Sequence, residues 1–321
     1  VPSDWAEIRL EGVSYRYPGG GEPVLRDVSL TLRRGYVTAL IGVNGAGKTT
    51  VLKVLAGLLE PDEGRVTIGG VDLREVARGD YWRRLAVLFQ GGPRYHLPLR
   101  EAVGLAAWAG GGAGDAAVRA ALGRAGLDGS VDLDRLAGTE FSEDGLGLSG
   151  GQWQRLDLAR VYCHAGAEVV MLDEPSSALD PEAEVALYRE FQAAIAGAGG
   201  GWGGAGRLGH RDSGRVGGSG GGDVGTEGRA GATGAGAVAE GGVGDTGTGG
   251  GNGAGWAGAG DAPDGRRTGL LVSHRLGPVR HADHIIVLNG RVVAEDGNHE
   301  ALMARGGLYA RMFREQQAMY R

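Results

Sequence analysis

YVTALIGVNGAGKTT (36–50) passes from an apolar run, through a glycine-rich turn, into the start of an amphipathic stretch. YVTALIG (36–42) suits a strand buried on both faces of a parallel sheet. Beyond the turn, Val51, Leu52, Leu55, Leu58 and Leu59 recur at helical spacing. Between these two elements Gly42, Gly47, Lys48 and Thr49 satisfy the phosphate-binding loop pattern. Glycines let backbone N–H groups close around phosphate oxygens, and the helix N-terminus adds a favourable partial charge. Lys48 reaches the outer phosphates and Thr49 is placed to ligate Mg²⁺. Lys48 and Lys53 are the only lysines in the chain, so a chance match to a pattern that demands one is correspondingly rare.

Working outward, alternating Ile8, Leu10 and Val13 predict a strand, as do residues 24–32, 66–68 and 85–89. Leu99 to about residue 165 reads as helical, with a glycine-rich interruption at 110–114. VVML (169–172) is an apolar strand, expected beside the phosphate-loop strand. The stretch 181–196 is a helix with Pro181 in its first turn. LLVS (270–273), 284–288 and 291–295 complete the strands, and 299–320 is a helical tail. Strands alternating with helices indicate an α/β domain with a mainly parallel sheet.

Of the 66 glycines, 31 fall between Gly197 and Gly265, a segment with no periodicity and few bulky side chains. Such a segment cannot bury enough surface to order itself and is expected to be a disordered insertion. Closing a loop of about seventy residues instead of about six costs only about 2 kcal/mol. The helix before it must run back to the opposite edge of the sheet, so the insertion is expected at the N-terminal ends of the strands. Ligands in such sheets bind at the C-terminal ends.

Three further stretches carry chemistry. VVMLDEP (169–175) ends an apolar strand in Asp173, placed to hold Mg²⁺ through water, and Glu174, placed to polarise an attacking water. LSGGQWQRLDLAR (148–160) sets Ser149, Gly150 and Gly151 at the start of a helix, a second tip able to bind an anion. No lysine accompanies that tip. LLVSHRL (270–276) is a strand tipped by His274.

Composition sets the bounds. The 321 residues, 42% hydrophobic, suffice for one large domain or two small ones. A net charge of −6 argues against nucleic-acid binding through bulk positive charge. The single cysteine, Cys163, excludes an internal disulfide, fits a reducing compartment and reads as a small buried residue on a helix. No apolar run reaches the 18 residues of a spanning helix. VPSDWAEIRL has no basic region followed by an apolar one, so no signal peptide is expected. The first residue is Val1, which fits an excised domain or a non-ATG start equally well.

Taken in order, these stretches resemble the nucleotide-binding domain of an ATP-binding cassette (ABC) transporter, the exporter branch in particular. The likeness runs from about Glu7 to the C-terminus, interrupted by the glycine-rich segment, and LSGGQ is the family signature. It implies a P-loop NTPase fold in a single domain (1–321): a mainly parallel core, an antiparallel β subdomain, an α-helical subdomain (98–165) and the insertion at 197–265. It implies that two cassettes sandwich two nucleotides head to tail, with Ser149 and Gly151 contacting the γ-phosphate of ATP held by the other copy. Tyr17 matches the aromatic that stacks on adenine, and Gln90 the glutamine that senses Mg²⁺ and couples to membrane helices. Asp180, in SALD (177–180), matches the loop that communicates between cassettes, and His274 the switch histidine. The resemblance thus assigns nucleotide contacts to Tyr17, Gly42, Asn44, Gly45, Ala46, Gly47, Lys48, Thr49, Thr50, Gln90, Ser149, Gly150, Gly151, Gln152 and Asp180. Metal ligation falls to Thr49, Gln90 and Asp173, and catalysis to Lys48, Glu174 and His274.

TEFSEDGLG (139–147) is only loosely like the exporter-specific loop, leaving coupling through Glu143 or Asp144 open. PRYH (93–96) fits either a surface facing membrane helices or an exposed loop, and 297–313 resembles the exporter tail. The implied function is ATP hydrolysis driving export, with ATP and Mg²⁺ bound. The implied partners are a second identical or different cassette and a transmembrane domain or subunit, and no nucleic acid. The implied location is the cytoplasmic face of the plasma membrane, or the cytoplasm for an isolated chain. A soluble non-transport ABC ATPase and a nucleotide-binding module without turnover remain as alternatives.

Overall fold

The structure is a computed structural model that describes residues 1–105, 112–176, 179, 181–196 and 267–319. The phosphate-loop strand is β3 (Val37–Gly42), buried at every residue. Val37, Ala39 and Ile41 enter one hydrophobic core and Leu40 the other, so the continuous apolar run serves both faces of the sheet. The neighbours of β3 are β8 (Thr268–Val272) and β9 (His284–Asn289), both parallel to it. Outward from β8 lie β7 (Val169–Asp173) and β6 (Leu85–Leu88), also parallel. At the far edge β10 (Val292–Gly297) pairs antiparallel with β9. The order is therefore β10-β9-β3-β8-β7-β6.

This order corrects one expectation. The strand carrying Asp173 is buried, but β8 lies between it and β3. All five residues of β8 are buried, so its apolar run qualifies equally for the centre. A second, antiparallel sheet runs β2-β1-β4-β5, from β1 (Glu7–Tyr15), β2 (Leu25–Arg33), β4 (Glu63–Ile68) and β5 (Val71–Asp72). Its inner side chains share a core with α1 (Lys48–Leu55), through Trp5, Leu10, Leu32, Leu52 and Leu55.

After a short α2 (Arg78–Trp82), the stretch read as helical contains α3 (Leu99–Gly104), α4 (Asp115–Arg124) and α5 (Gly150–Cys163). Residues 125–149 are not helical; they form turns and the isolated bridges Pro98–Leu136 and Ala137–Leu146. Gly126 and Gly138 at positive φ break helical geometry there. PRYH lies at the surface, with Pro93, Arg94 and Tyr95 exposed and His96 half-buried; Arg94 lies over the Trp153 ring, Arg160 over the Tyr95 ring, and His96 bonds the Ala137 carbonyl. Cys163 is buried in α5, and that burial pushes its thiol pKa up.

The sheet resumes through α6 (Pro181–Ile195) and, after β8, α7 (Leu276–Val279). The helical tail is two helices, α8 (His299–Arg305) and α9 (Leu308–Met319), divided at Gly306 with φ +64. The insertion read at 197–265 lies outside the described residues. Its flanks do not: the Arg267 N–H donates to the Ile195 carbonyl at 3.1 Å, where β8 begins. That is the sheet end opposite Gly42, Asp173 and Val272.

Candidate functional site

β3 ends in a turn that only glycine fills without strain. Gly42, Gly45 and Gly47 have φ of +155, +78 and +98. A Cβ on Gly47 would stand 2.7 Å from Leu25 Cδ2 and 3.1 Å from the Val24 carbonyl oxygen. The backbone thereby wraps the N-terminus of α1, whose first residue is Lys48. The Lys48 ammonium donates to the Gly42 carbonyl at 2.9 Å and the Val43 carbonyl at 3.2 Å. Burial lowers its pKa, and the carboxylates of Glu174 and Asp173 oppose that shift.

At the end of β7, Asp173 is 1% exposed. Its Oδ2 accepts from the Thr49 hydroxyl at 2.8 Å, while Oδ1 is buried with no hydrogen-bond partner among the described residues. Burial raises the Asp173 pKa, more than the Thr49 bond lowers it. Glu174 then turns into the left-handed region, φ +50, a conformation that costs a non-glycine residue of order 1 kcal/mol or more. Both its peptide groups are pinned. The Glu174 N–H donates to the Val272 carbonyl at 2.9 Å, and the Gln154 amide donates to its carbonyl at 3.1 Å. This turn aims the carboxylate at two partners: Gln90 Nε2 lies 2.9 Å from one oxygen and His274 Nδ1 3.2 Å from the other.

Behind that pair runs a second link. Glu184, in the first turn of α6, accepts from the Ser176 hydroxyl at 2.5 Å and from Arg275 at 3.0 Å. Ser176 follows Glu174 by two residues, and Arg275 follows His274 directly.

Asn44, Gly45, Gly47, Lys48, Thr49, Thr50, Gln90, Glu174, His274 and Val24 line one cleft of about 580 Å³. Ala46 is buried beneath it. Tyr17 stands beside the loop, its hydroxyl 3.3 Å from that of Thr50 and its ring edge-on to Tyr15. Ser149, Gly150, Gly151 and Gln152 do not line this cleft. They form the tip of α5, closed by a capping box: Ser149 Oγ accepts from the Gln152 N–H, and Gln152 Oε1 from the Ser149 N–H. Ser149 and Gly150 are exposed. Asp180 lies outside the described residues. Gln154, Glu184 and Val24 were not singled out by the sequence. Gln154 is one polar residue among several on α5, and nothing in its spacing marks it.

The family model described as ABC transporter matches residues 25–177. The cyclolysin secretion/processing ATP-binding protein CyaB of Bordetella pertussis is 30% identical over 313 residues, covering 97% of this chain and 34% of that protein. The subtilin transport ATP-binding protein SpaT of Bacillus subtilis is 37% identical over 194 residues, covering 57% of this chain and 30% of that protein. The chain thus spans about a third of the length of these relatives. Among solved structures, a bacterial Atm1-family ABC exporter with ATP bound shares the fold at a TM-score of 0.69 and 22% identity. That match covers 99% of this chain and 43% of the exporter chain.

Proposed function

This chain belongs to the ABC transporter family, and we propose that it is the ATP-binding, ATP-hydrolysing engine of an exporter. The supporting observation is the aim of Glu174. A strained turn, pinned by Val272 and Gln154, holds its carboxylate between Gln90 and His274, at the mouth of the loop carrying Lys48 and Thr49.

The residues present fit Mg²⁺. A buried Asp173 with one orphan oxygen, bonded through the other to the Thr49 hydroxyl, is the oxygen donor set such an ion takes, with Gln90 at the same cleft. Bound there, the ion neutralises charge on the outer phosphates. The protein's own groups do the rest. Backbone N–H groups of residues 44–49 cradle the phosphates. Lys48 exchanges the Gly42 and Val43 carbonyls for phosphate oxygens. Glu174 orients a water and accepts its proton, and His274 holds Glu174 and faces the γ-phosphate. Catalysis is positioning plus charge stabilisation.

A cleft that lacks Ser149–Gln152 is half a site. The exposed α5 tip supports a head-to-tail pair of cassettes, in which the serine–glycine tip of one copy closes on the triphosphate held at Lys48 of the other. Tyr17, beside Thr50, is placed for the adenine. No helix among the described residues is long and apolar enough to cross a membrane. A transmembrane domain or subunit supplies transport, with this chain at the cytoplasmic face.

Phosphate release by the purified chain tests the reading. Turnover requires Mg²⁺ and rises more steeply than linearly with protein concentration. Glu174→Gln lowers it by about a hundredfold or more and leaves ATP binding intact. A Glu174→Gln variant that hydrolyses ATP at the parent rate removes the assignment.

A further inference from the structure

The His274 side chain is 48% exposed, and among the described residues its ring meets Glu174 at 3.2 Å. Its aim is therefore set by its backbone, which leaves the sheet one residue after β8 ends. The turn is held on its α6 side: Ser273 Oγ accepts from the Arg275 N–H at 3.0 Å and from the Tyr188 hydroxyl at 3.3 Å, Arg275 pairs with Glu184 at 3.0 Å, and the Ser273 N–H reaches the Leu40 carbonyl at 3.3 Å. Next comes α7, whose first residue is Leu276 and whose N-cap residue is Arg275. Arginine offers no capping oxygen, and no side chain of the cap residue bonds the helix start. The orphan N–H of Leu276 is satisfied from elsewhere: Gln316 of α9, 40 positions away, accepts it on Oε1. The Nε2 of the same amide donates to the His274 carbonyl at 2.9 Å. One side-chain amide thus reads residues 274 and 276 as a neighbouring strand would, and caps α7 in trans.

We propose that Gln316 is a positioning residue for His274: the C-terminal helix α9 sets the aim of the switch histidine through this bidentate amide. The inference rests on the proposed role of His274 and adds to it a control point in the tail. The tail thereby has a functional task besides covering the sheet edge, because the end of α9 determines whether the ring stays against Glu174.

The test compares Gln316→Ala, Gln316→Glu and Gln317→Ala in the full chain. Gln316→Ala lowers kcat about fivefold to tenfold with KM for ATP within about twofold, and exchange of the Leu276 amide hydrogen accelerates by a similar factor. Gln316→Glu keeps the acceptor and loses the donor. It preserves Leu276 protection yet lowers kcat, since a carboxylate oxygen then faces the His274 carbonyl oxygen. Gln317→Ala, on the exposed side of α9, matches the parent in both measurements. The proposal is overturned if Gln316→Ala keeps the parent kcat and exchange rate, or if Gln317→Ala loses as much. A loss of kcat that comes with a fall of melting temperature beyond about 3 °C also overturns it, in favour of simple packing. Should the parent chain show no turnover, the proposed function fails, and Leu276 exchange still decides this inference.

Discussion

The buried pair Glu184–Arg275 offers a measurement in which stability and catalysis separate. The Glu184 side chain is 9% exposed and that of Arg275 28%. The carboxylate accepts from Arg275 on one oxygen and from Ser176 on the other. Removing one member of a buried pair costs about 3–5 kcal/mol, because the remaining charge is left in a poor solvent. With Glu184→Met, the guanidinium recovers some water through its exposed quarter, so the expected loss is about 2–3 kcal/mol. In a domain of this size that lowers the melting temperature by roughly 4–12 °C. Arg275→Met leaves the more buried charge behind and destabilises at least as much. Changing both to Met removes both desolvation penalties and restores most of the stability, giving a coupling of about 1.5 kcal/mol or more. Urea and thermal unfolding of the nucleotide-free chain measure all four corners of the cycle. Turnover behaves differently. Ser176 follows Glu174 and Arg275 follows His274, so the double variant stays about tenfold or more below the parent in kcat even where its stability is regained. Additive single effects, or a double variant with parent kcat, would refute the reasoning that this pair ties Glu174 to His274.

Gly47→Ala must place a methyl against Leu25, which is fully buried, and hold alanine at φ +98. It is expected to cost about 2–3 kcal/mol and to abolish binding of a fluorescent ATP analogue. Asp173 has a raised pKa in the fold, so its ionised form is penalised at neutral pH and the penalty disappears as pH falls below its ordinary range. Asp173→Asn therefore melts higher than the parent at pH 7, while Mg²⁺-dependent turnover is lost; a lower melting point contradicts the sign. Burial, aided by Arg267, lowers the His164 pKa. Its neutral form is favoured in the fold, so stability is full above about pH 6.5 and declines as pH falls below that value. His164→Gln flattens that decline in a melting series from pH 7.5 to 5.5, and an unchanged slope rejects the assignment.

Much of this was legible because the residues concerned are specified by local physics. Gly42, Gly47 and Lys48 are marked by a turn that excludes side chains and by the scarcity of lysine. β3, β7 and β8 are marked by apolar runs too continuous for a surface. What those runs could not convey is order. Three strands equally apolar carry no information about their order, so β7 was expected beside β3, whose two neighbours are β8 and β9. Residues 125–149 were misread as helix because apolar residues spaced by turns mimic helical period, while Gly126 and Gly138 decide the backbone. Gln154 and Gln316 were invisible for another reason. Each acts through one amide on a main-chain group distant in sequence, and a single glutamine on an exposed-looking helix has no period to betray it.

The central place of β8 also explains why a long glycine-rich segment is tolerable in front of it. β8 is the only described strand that bonds both β3, bearing the phosphate loop, and β7, bearing the two carboxylates. The register is set by those two ladders: Gly269 lies opposite Val37 on one side and Val170 on the other. With both flanks pinned, and with the Arg267–Ile195 bond closing the sheet's lower end, the length of chain between 196 and 267 has little leverage on the upper end. The Val272 carbonyl still meets the Glu174 N–H, and His274 still follows two residues later. A loop that enters only the logarithm of a closure entropy costs stability without moving Glu174 or His274. Deleting 197–265 should accordingly raise the melting temperature by a few degrees, in line with about 2 kcal/mol, and leave KM for ATP unchanged. A deletion that alters KM means the two ends of β8 are mechanically coupled after all.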